Sequence, residues 1–285
     1  MFAKLLKHDI KSVWRLWWLL LPILPAASLL MSFAIRYMQL EEQMPEPFAL
    51  GMVIATLITM LSFVAIVGSM IYTLVLVFTR FYKHLYTDEG YLTFTLPIKR
   101  STILFSKSLN AMIWLVAHVV LFVICILTVM LIAPLPENGA WIDPIIFVEL
   151  GEIFADIWNE IGAWLILYIF ELIVLGLIGI AFAISLFQFC ITFAATLVRR
   201  AKLFLGIGIY YAVNAIISSI GSVMFYVTFL STFYGATELL EDMSKAQSCI
   251  FIAVLLLAVG AAMSLFTSVF YLASRNCMER KLNLA

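Results

Sequence analysis

The sequence has few charged residues for its length. Asp, Glu, Lys and Arg make up 12% of the 285 residues, whereas 65% of the residues are hydrophobic. A typical soluble domain has about 25% charged residues. A chain of this length could bury a large core, but these few charges could not provide the surface that water requires. The composition therefore excludes an ordinary soluble domain.

Residues that support redox or metal chemistry are also sparse. The cysteines are scattered and form no C-x-x-C pair, so the sequence indicates neither a disulfide framework nor a zinc site. We interpret the cysteines as small apolar packing residues and the three histidines as interfacial or packing residues. The cysteines are Cys125, Cys190, Cys249 and Cys277, and the histidines are His8, His84 and His118.

The chain also lacks the motifs of energy conversion and catalysis. It has no G-x-x-x-x-G-K-[ST] phosphate loop, no H-E-x-x-H, no G-x-S-x-G and no ferredoxin-type cysteine set. We therefore predict that it is not an enzyme and that it uses no metal or cofactor. Any ATP hydrolysis would take place in a separate chain.

Six apolar stretches are long enough to cross a bilayer, which requires about 20 residues per helix. Spanning segments must be helices here, because lipid cannot satisfy open backbone groups and the alternation of a β-barrel is absent. We predict an all-α polytopic membrane protein with one transmembrane domain over residues 1–285. Pro22 and Pro25 should kink the first span. The predicted spans are 17–35, 48–79, 110–133, 162–190, 203–228 and 250–273.

The charges between the spans are strongly asymmetric. When the segments outside the spans are numbered in chain order, every Lys and Arg except Arg36 and Lys245 lies in an odd-numbered segment. Most of the Asp and Glu lie in the even-numbered segments. The positive-inside rule then predicts that the odd-numbered segments, including both termini, are cytoplasmic.

The N-terminal residues 2–15 have the pattern of an amphipathic helix. Such a helix lies in the membrane interface with its cations toward anionic headgroups, so we predict an interfacial elbow that contacts lipid. Its apolar side has Phe2, Leu5, Leu6, Ile10, Val13, Trp14 and Trp17, and its basic side has Lys4, Lys7, Lys11 and Arg15.

The segment between the second and third spans predicts a short helix at about 87–96. Thr87 is a suitable N-cap, the next two residues are acids that favour a first turn, and Pro97 ends the helix. A helix this short is marginal alone. It also has apolar surface to bury, on Tyr91, Leu92, Phe94 and Leu96.

Two even-numbered segments also predict helices. Asp143 and Pro144 form a helix start, and an acidic stripe of Glu149, Glu152, Asp156 and Glu160 follows. That stripe is either a solvated face or an attractant for cationic cargo. Residues 229–248 predict a short helix after Gly235.

Glu171 is the only strong acid inside the predicted spans. Acids at this depth are costly to expose to lipid. Glu171 therefore either lines a candidate substrate path, together with Asn214, or makes a structural hydrogen bond to a neighbouring helix, or is a protonated acid. Small residues at helical spacing predict close packing of helices, including a dimer interface. These residues are Ser218 with Ser222, and Gly260 with Ser264 and Ser268.

The segment TDEGYLTFTLPIKRSTILFSK resembles the corresponding segment of type-2 ATP-binding-cassette (ABC) exporter permeases. It is most similar to the form found in permeases of Gram-positive, clostridia-like bacteria. The elbow, the six spans and the outer segment before the last span also match that class. The residues that carry the resemblance are Glu89, Gly90, Leu92, Leu96, Pro97, Lys99, Arg100 and Lys107.

The resemblance implies a permease subunit of an ATP-driven exporter in a bacterial plasma membrane. The short helix would be a coupling helix that docks on an ABC ATPase subunit. Two ATPase copies and a second permease chain would complete the transporter, and no nucleic acid would be involved. The residues that would contact the ATPase are Thr87, Asp88, Glu89, Gly90, Tyr91, Leu92 and Phe94.

Two other functions are compatible with a membrane protein of this kind. A self-sufficient secondary transporter or channel would need paired intramembrane charges, which the spans lack. A non-transporting sensor or immunity protein would leave the structured segment at 80–109 without a role.

Overall fold

In the computed structural model, the described residues are 2–42, 49–87, 90, 95, 99–135, 144–198, 202–241 and 245–280. Within these ranges 95% of the residues are helical and none is in a strand. The prediction of an all-α protein is therefore confirmed.

Eight helices cover the described chain. They are α1 (Phe2–Trp17), α2 (Leu20–Glu42), α3 (Ala49–Tyr86), α4 (Arg100–Ile132), α5 (Pro144–Ile161), α6 (Trp164–Leu197), α7 (Lys202–Glu241) and α8 (Lys245–Arg280). Six helical segments are long and apolar enough to cross a membrane, as the sequence predicted. The first of these segments takes in α1 together with most of α2.

A short turn at residues 18–19 separates α1 from α2. Pro22 has no backbone N–H, so it cannot donate to the carbonyl of Trp18. The N–H of Leu21 donates to that carbonyl instead, at 3.1 Å. The helix then continues without a break through Pro25.

Helix α5 spans Pro144–Ile161 and is followed by Gly162, whose φ is 62°. This left-handed conformation is the common way to close a helix, and glycine adopts it without steric cost. Asp143, the predicted N-cap, lies outside the described residues.

The sequence predicted a separate short helix after Gly235. In the structure there is no separate helix up to Glu241, because α7 runs unbroken to that residue. Helix α7 contains no proline, so no residue of this type forces it to end earlier.

The chain divides into two compact units. Unit 1 comprises Met1–Phe81 and Leu109–Asp156, and unit 2 comprises Tyr82–Ser108 and Ile157–Ala285. Unit 2 therefore includes the end of α3, the start of α4 and the three C-terminal helices.

In unit 1, α2 runs parallel to α4, and the end of α1 contacts the same helix. The rings of Trp17 and Trp114 lie 4.9 Å apart near one end, and Arg36 donates to the carbonyl of Pro134 at 2.9 Å near the other. Between α3 and α4, the ring of His118 is hydrogen-bonded to two hydroxyl groups, on Ser69 and Thr73. His118 is thus a buried packing residue, as predicted.

In unit 2, α6 packs against both α7 and α8. Helices α6 and α8 run parallel. Tyr168 donates to the carbonyl of Cys249 near their N-terminal ends, and Thr192 lies 3.2 Å from the Ser274 hydroxyl near their C-terminal ends. On α7, a Cβ atom at Gly206 would lie 3.0 Å from the side chain of Ile191, so glycine permits the close approach to α6.

Candidate functional site

The α3–α4 segment (residues 87–99) begins and ends within unit 2. The exposed hydroxyl of Thr87 donates to the carbonyl of Lys83 at 2.5 Å, which closes the end of α3. The backbone carbonyl of Thr87 accepts the N–H of Gly90 at 2.8 Å. The short helix that Thr87 was predicted to cap lies mostly outside the described residues.

Gly90 is packed against the end of α3. A Cβ atom built at this position would lie 2.5 Å from the carbonyl oxygen of Leu85 and 2.7 Å from its carbonyl carbon. Both are backbone atoms, and Leu85 is fully buried. Only glycine fits here without displacing the segment or the helix.

The structure describes two of the seven predicted ATPase-contact residues. Thr87 is exposed and Gly90 is buried, so Gly90 shapes the segment and presents no side chain to a partner. The other five lie outside the described residues: Asp88, Glu89, Tyr91, Leu92 and Phe94.

A buried set of hydrogen bonds joins the end of α3 to α6 and α8. The Thr192 hydroxyl donates to the carbonyl of Gln188 at 2.6 Å, which uses its one proton. The hydroxyls of Tyr86 at 2.6 Å and Ser274 at 3.2 Å therefore both donate to Thr192. Thr192 and Ser274 have no exposed surface. Such buried polar contacts are stabilising only when every member has a partner, as here.

The start of α4 is joined to the same two helices. Ser108 donates to the side-chain carbonyl of Gln188 at 2.9 Å, and Arg100 donates to the carbonyl of Met278 at 2.8 Å. We call Tyr86, Ser108, Gln188, Thr192 and Ser274 the anchor cluster. Through it, both helices that flank the α3–α4 segment are fixed to α6 and α8.

Lys107 adds a link between the two flanking helices themselves. Its ammonium lies 2.8 Å from Nδ1 of His84. A lysine ammonium can only donate, so Nδ1 accepts, and the ring proton of a neutral His84 would lie on Nε2. The end of α3 and the start of α4 therefore hold each other as well as the C-terminal helices.

A second polar feature of unit 2 is a groove between α6 and α8 with a volume of 280 Å³. Glu171 lines the groove and is 8% exposed. Its Oε2 atom is buried and has no hydrogen-bond partner. The groove is otherwise almost entirely apolar, and its lining includes Phe170, Val174, Leu175, Leu256, Leu257 and Gly260.

The hydroxyl groups near Glu171 already donate to backbone carbonyls. Tyr168, one turn earlier, donates to the carbonyl of Cys249, and Ser264 donates to the carbonyl of Ala261. The expected structural hydrogen bond to a neighbouring helix is therefore not made by Oε2 of Glu171. Asn214, the other residue of the predicted path, is half-buried on α7 and is not part of the groove lining.

The predicted small-residue lines pack only in part. A Cβ atom at Gly260 would contact Leu175 and Ile178 of α6 at 3.8 and 3.9 Å, so Gly260 does lie at a helix interface. Ser264 and Ser268 are exposed in unit 2, and so are Ser218 and Ser222 on α7. These serines therefore leave a surface available to lipid or to a second chain.

The described residues contain no group of three or more His, Cys, Asp or Glu side chains that could hold a metal ion. All four cysteines are free thiols. The fold is that of a multi-pass α-helical membrane protein with six candidate spans. Comparison of the chain with protein-family models, curated proteins and solved structures finds no match.

Proposed function

We propose that the chain is the membrane-spanning permease subunit of an ATP-driven exporter and that a separate ATPase subunit hydrolyses the ATP. The anchor cluster is the observation that carries the proposal. It ties both flanks of the α3–α4 segment to α6 and α8 through short, buried hydrogen bonds. A force applied to the segment would therefore reach the C-terminal helices directly. Because the sequence has no phosphate loop, that force must come from a partner.

The α3–α4 segment and both termini would face the cytoplasm of a bacterial plasma membrane. The distribution of basic residues supports this orientation. Helix α1 fits an elbow at the same membrane face, because its four cations are exposed on one side, whereas Val13 and Trp17 are buried on the other. The four cations are Lys4, Lys7, Lys11 and Arg15.

The working transporter would have two ATPase subunits and two permease chains, identical or similar. Each ATPase would bind residues 87–94, in which Gly90 is packed against the end of α3. The exposed serines of α7 and α8 supply small-residue surfaces that suit helix contact with the second permease.

The test is co-purification with the ATPase encoded beside this gene. Glu89→Arg should abolish the complex and the stimulated ATPase activity, because it reverses a charge in the predicted contact. Glu149→Arg is the matched control, since Glu149 is an exposed acid on α5, far along the chain from the segment. If Glu89→Arg retains both properties, or if the purified chain transports cargo in vesicles without an ATPase, the proposal is wrong.

Glu171 favours one other function, a self-sufficient secondary transporter. An unpartnered acid within a membrane helix is typical of ion-coupled transport. That function requires an ion gradient alone to drive transport by the purified chain, and Glu171→Gln should then abolish the ion dependence.

A further inference from the structure

We infer that the groove between α6 and α8 binds a small organic cation, with an apolar body and one protonated amine that pairs with Glu171. This inference names a cargo class for the proposed exporter and rests on that function only in treating the ligand as cargo. The binding itself requires no partner chain.

The first argument is the state of the Glu171 side chain. It is more than nine-tenths buried, it lines the groove, and Oε2 has no hydrogen-bond partner. A carboxyl group in an apolar setting either stays neutral or is ionised beside a cation or a set of donors that compensates its charge. The groove leaves room for such a group beside the carboxylate.

The second argument is that no described side chain of the two groove helices is a counter-ion for Glu171. Helix α6, described along its whole length, has no Lys, Arg or His. On α8, Arg275 is fifteen residues beyond Gly260, roughly 20 Å along the helix, and it pairs with Glu279 at 3.0 Å. The other two cations of α8, Lys245 and Arg280, stand at its two ends, and their side chains lie outside the described residues. Among the described side chains, these helices supply the anion but not its partner, so a ligand cation complements the site.

The third argument is the size and lining of the groove. Ligand pockets usually measure roughly 300–1,000 Å³, so a volume of 280 Å³ suits a small amphiphile. Phe170, Leu256 and Leu257 offer apolar contacts for its body. A lipid acyl chain or a helix of a second copy could fill the apolar part, but neither would place a cation on Glu171.

The experiment uses the purified chain alone in phosphatidylcholine nanodiscs. Equilibrium binding of radiolabelled octylamine and of 1-octanol is measured, and partition into empty nanodiscs is subtracted. Wild type should bind octylamine more tightly than the neutral alcohol. Glu171→Gln should weaken octylamine binding by roughly tenfold to a hundredfold, because a charge-assisted hydrogen bond becomes a neutral one. Its affinity for 1-octanol should not change.

Two further variants make the result specific. Glu279→Gln removes an exposed acid on α8 that is nineteen residues beyond Gly260, and this variant should bind octylamine like wild type. Ser264→Leu fills the groove without altering its charge and should weaken binding of both probes. Thermal unfolding of each variant shows whether it is folded.

Three results would overturn the inference. Wild type could bind the two probes equally, which would leave an apolar lipid-binding groove. Folded Glu171→Gln could keep full affinity for octylamine. The third such result is that neither probe binds above the level of the empty nanodiscs, which is expected if a second copy of the chain covers the groove. Since no ATPase is present, none of these results bears on docking at residues 87–94, and failure of ATPase co-purification would leave amine binding intact.

Discussion

Replacing Gly90 with alanine tests the packing of the α3–α4 segment against α3. The added methyl group would lie 2.5 Å from the carbonyl oxygen of Leu85. Non-bonded heavy atoms prefer about 3.5–4.0 Å, so the segment must move by about 1 Å. Helix α3 cannot easily recede, because Leu85 is fully buried and Tyr86 is hydrogen-bonded to Thr192. Overpacking of this kind lowers the free energy of unfolding by about 1–3 kcal/mol.

The matched control is Gly68→Ala in the interior of α3, where a Cβ atom would have no neighbour within 4 Å. Alanine is favoured over glycine in a helix interior by about 0.5–1 kcal/mol. The two glycine-to-alanine substitutions should therefore change the free energy of unfolding in opposite directions, as measured by reversible unfolding in mixed micelles. If Gly90→Ala is neutral or stabilising like its control, the contact with Leu85 does not constrain the segment, and the argument for its rigid attachment is refuted.

Four other substitutions test the buried contacts. Thr192→Val and Tyr86→Phe should each lower the unfolding free energy by about 1–2 kcal/mol, and a double-mutant cycle should give a coupling of at least about 0.5 kcal/mol; additive effects would argue against their hydrogen bond. His118→Leu should cost about 1–3 kcal/mol, because the buried hydroxyl of Thr73 loses its hydrogen bond to the ring and that of Ser69 keeps only its bond to the carbonyl of Ile66, and unchanged stability would contradict that role. Gly206→Ala should destabilise by about 1 kcal/mol, whereas Gly208→Ala, with open space around it, should not; equal melting temperatures would show that α6 and α7 are not closely packed there.

The number of spans was predictable because apolar length alone determines which segments can cross a bilayer. The helix ends were not. Helices α3 and α4 extend beyond the predicted spans, to Tyr86 and from Arg100. These extensions are polar, so hydropathy does not mark them. Their polar groups are satisfied by helices far away in the sequence, such as the carbonyl of Met278, which accepts from Arg100.

The candidate site was predictable only in part. The glycine of the segment and the isolated acid Glu171 both stand out in the sequence, one by its motif and the other by its apolar surroundings. The anchor cluster does not, since Tyr86 and Thr192 are 106 residues apart and ordinary residue types. One signal was present: Gln188 and Thr192 are polar residues four apart in an apolar helix, and so share a face. Which helices that face meets depends on tertiary packing.

The anchor cluster and the groove lie on the same pair of parallel helices. Thr192 and Glu171 are both on α6, about 30 Å apart along its axis, and each lies beside α8. A helix transmits displacement over this length because its backbone hydrogen bonds keep it stiff. Two packed helices therefore either move together or slide past each other along their whole length. Under the proposed function, movement of the α3–α4 segment would therefore alter the groove. Linkage requires the reverse to hold for binding equilibria: a cation that prefers one arrangement of α6 and α8 must shift the affinity of the segment for its ATPase by the same factor. The coupling between the α3–α4 segment and the groove thus has a physical basis in unit 2 alone. It requires that cation binding and ATPase binding influence each other.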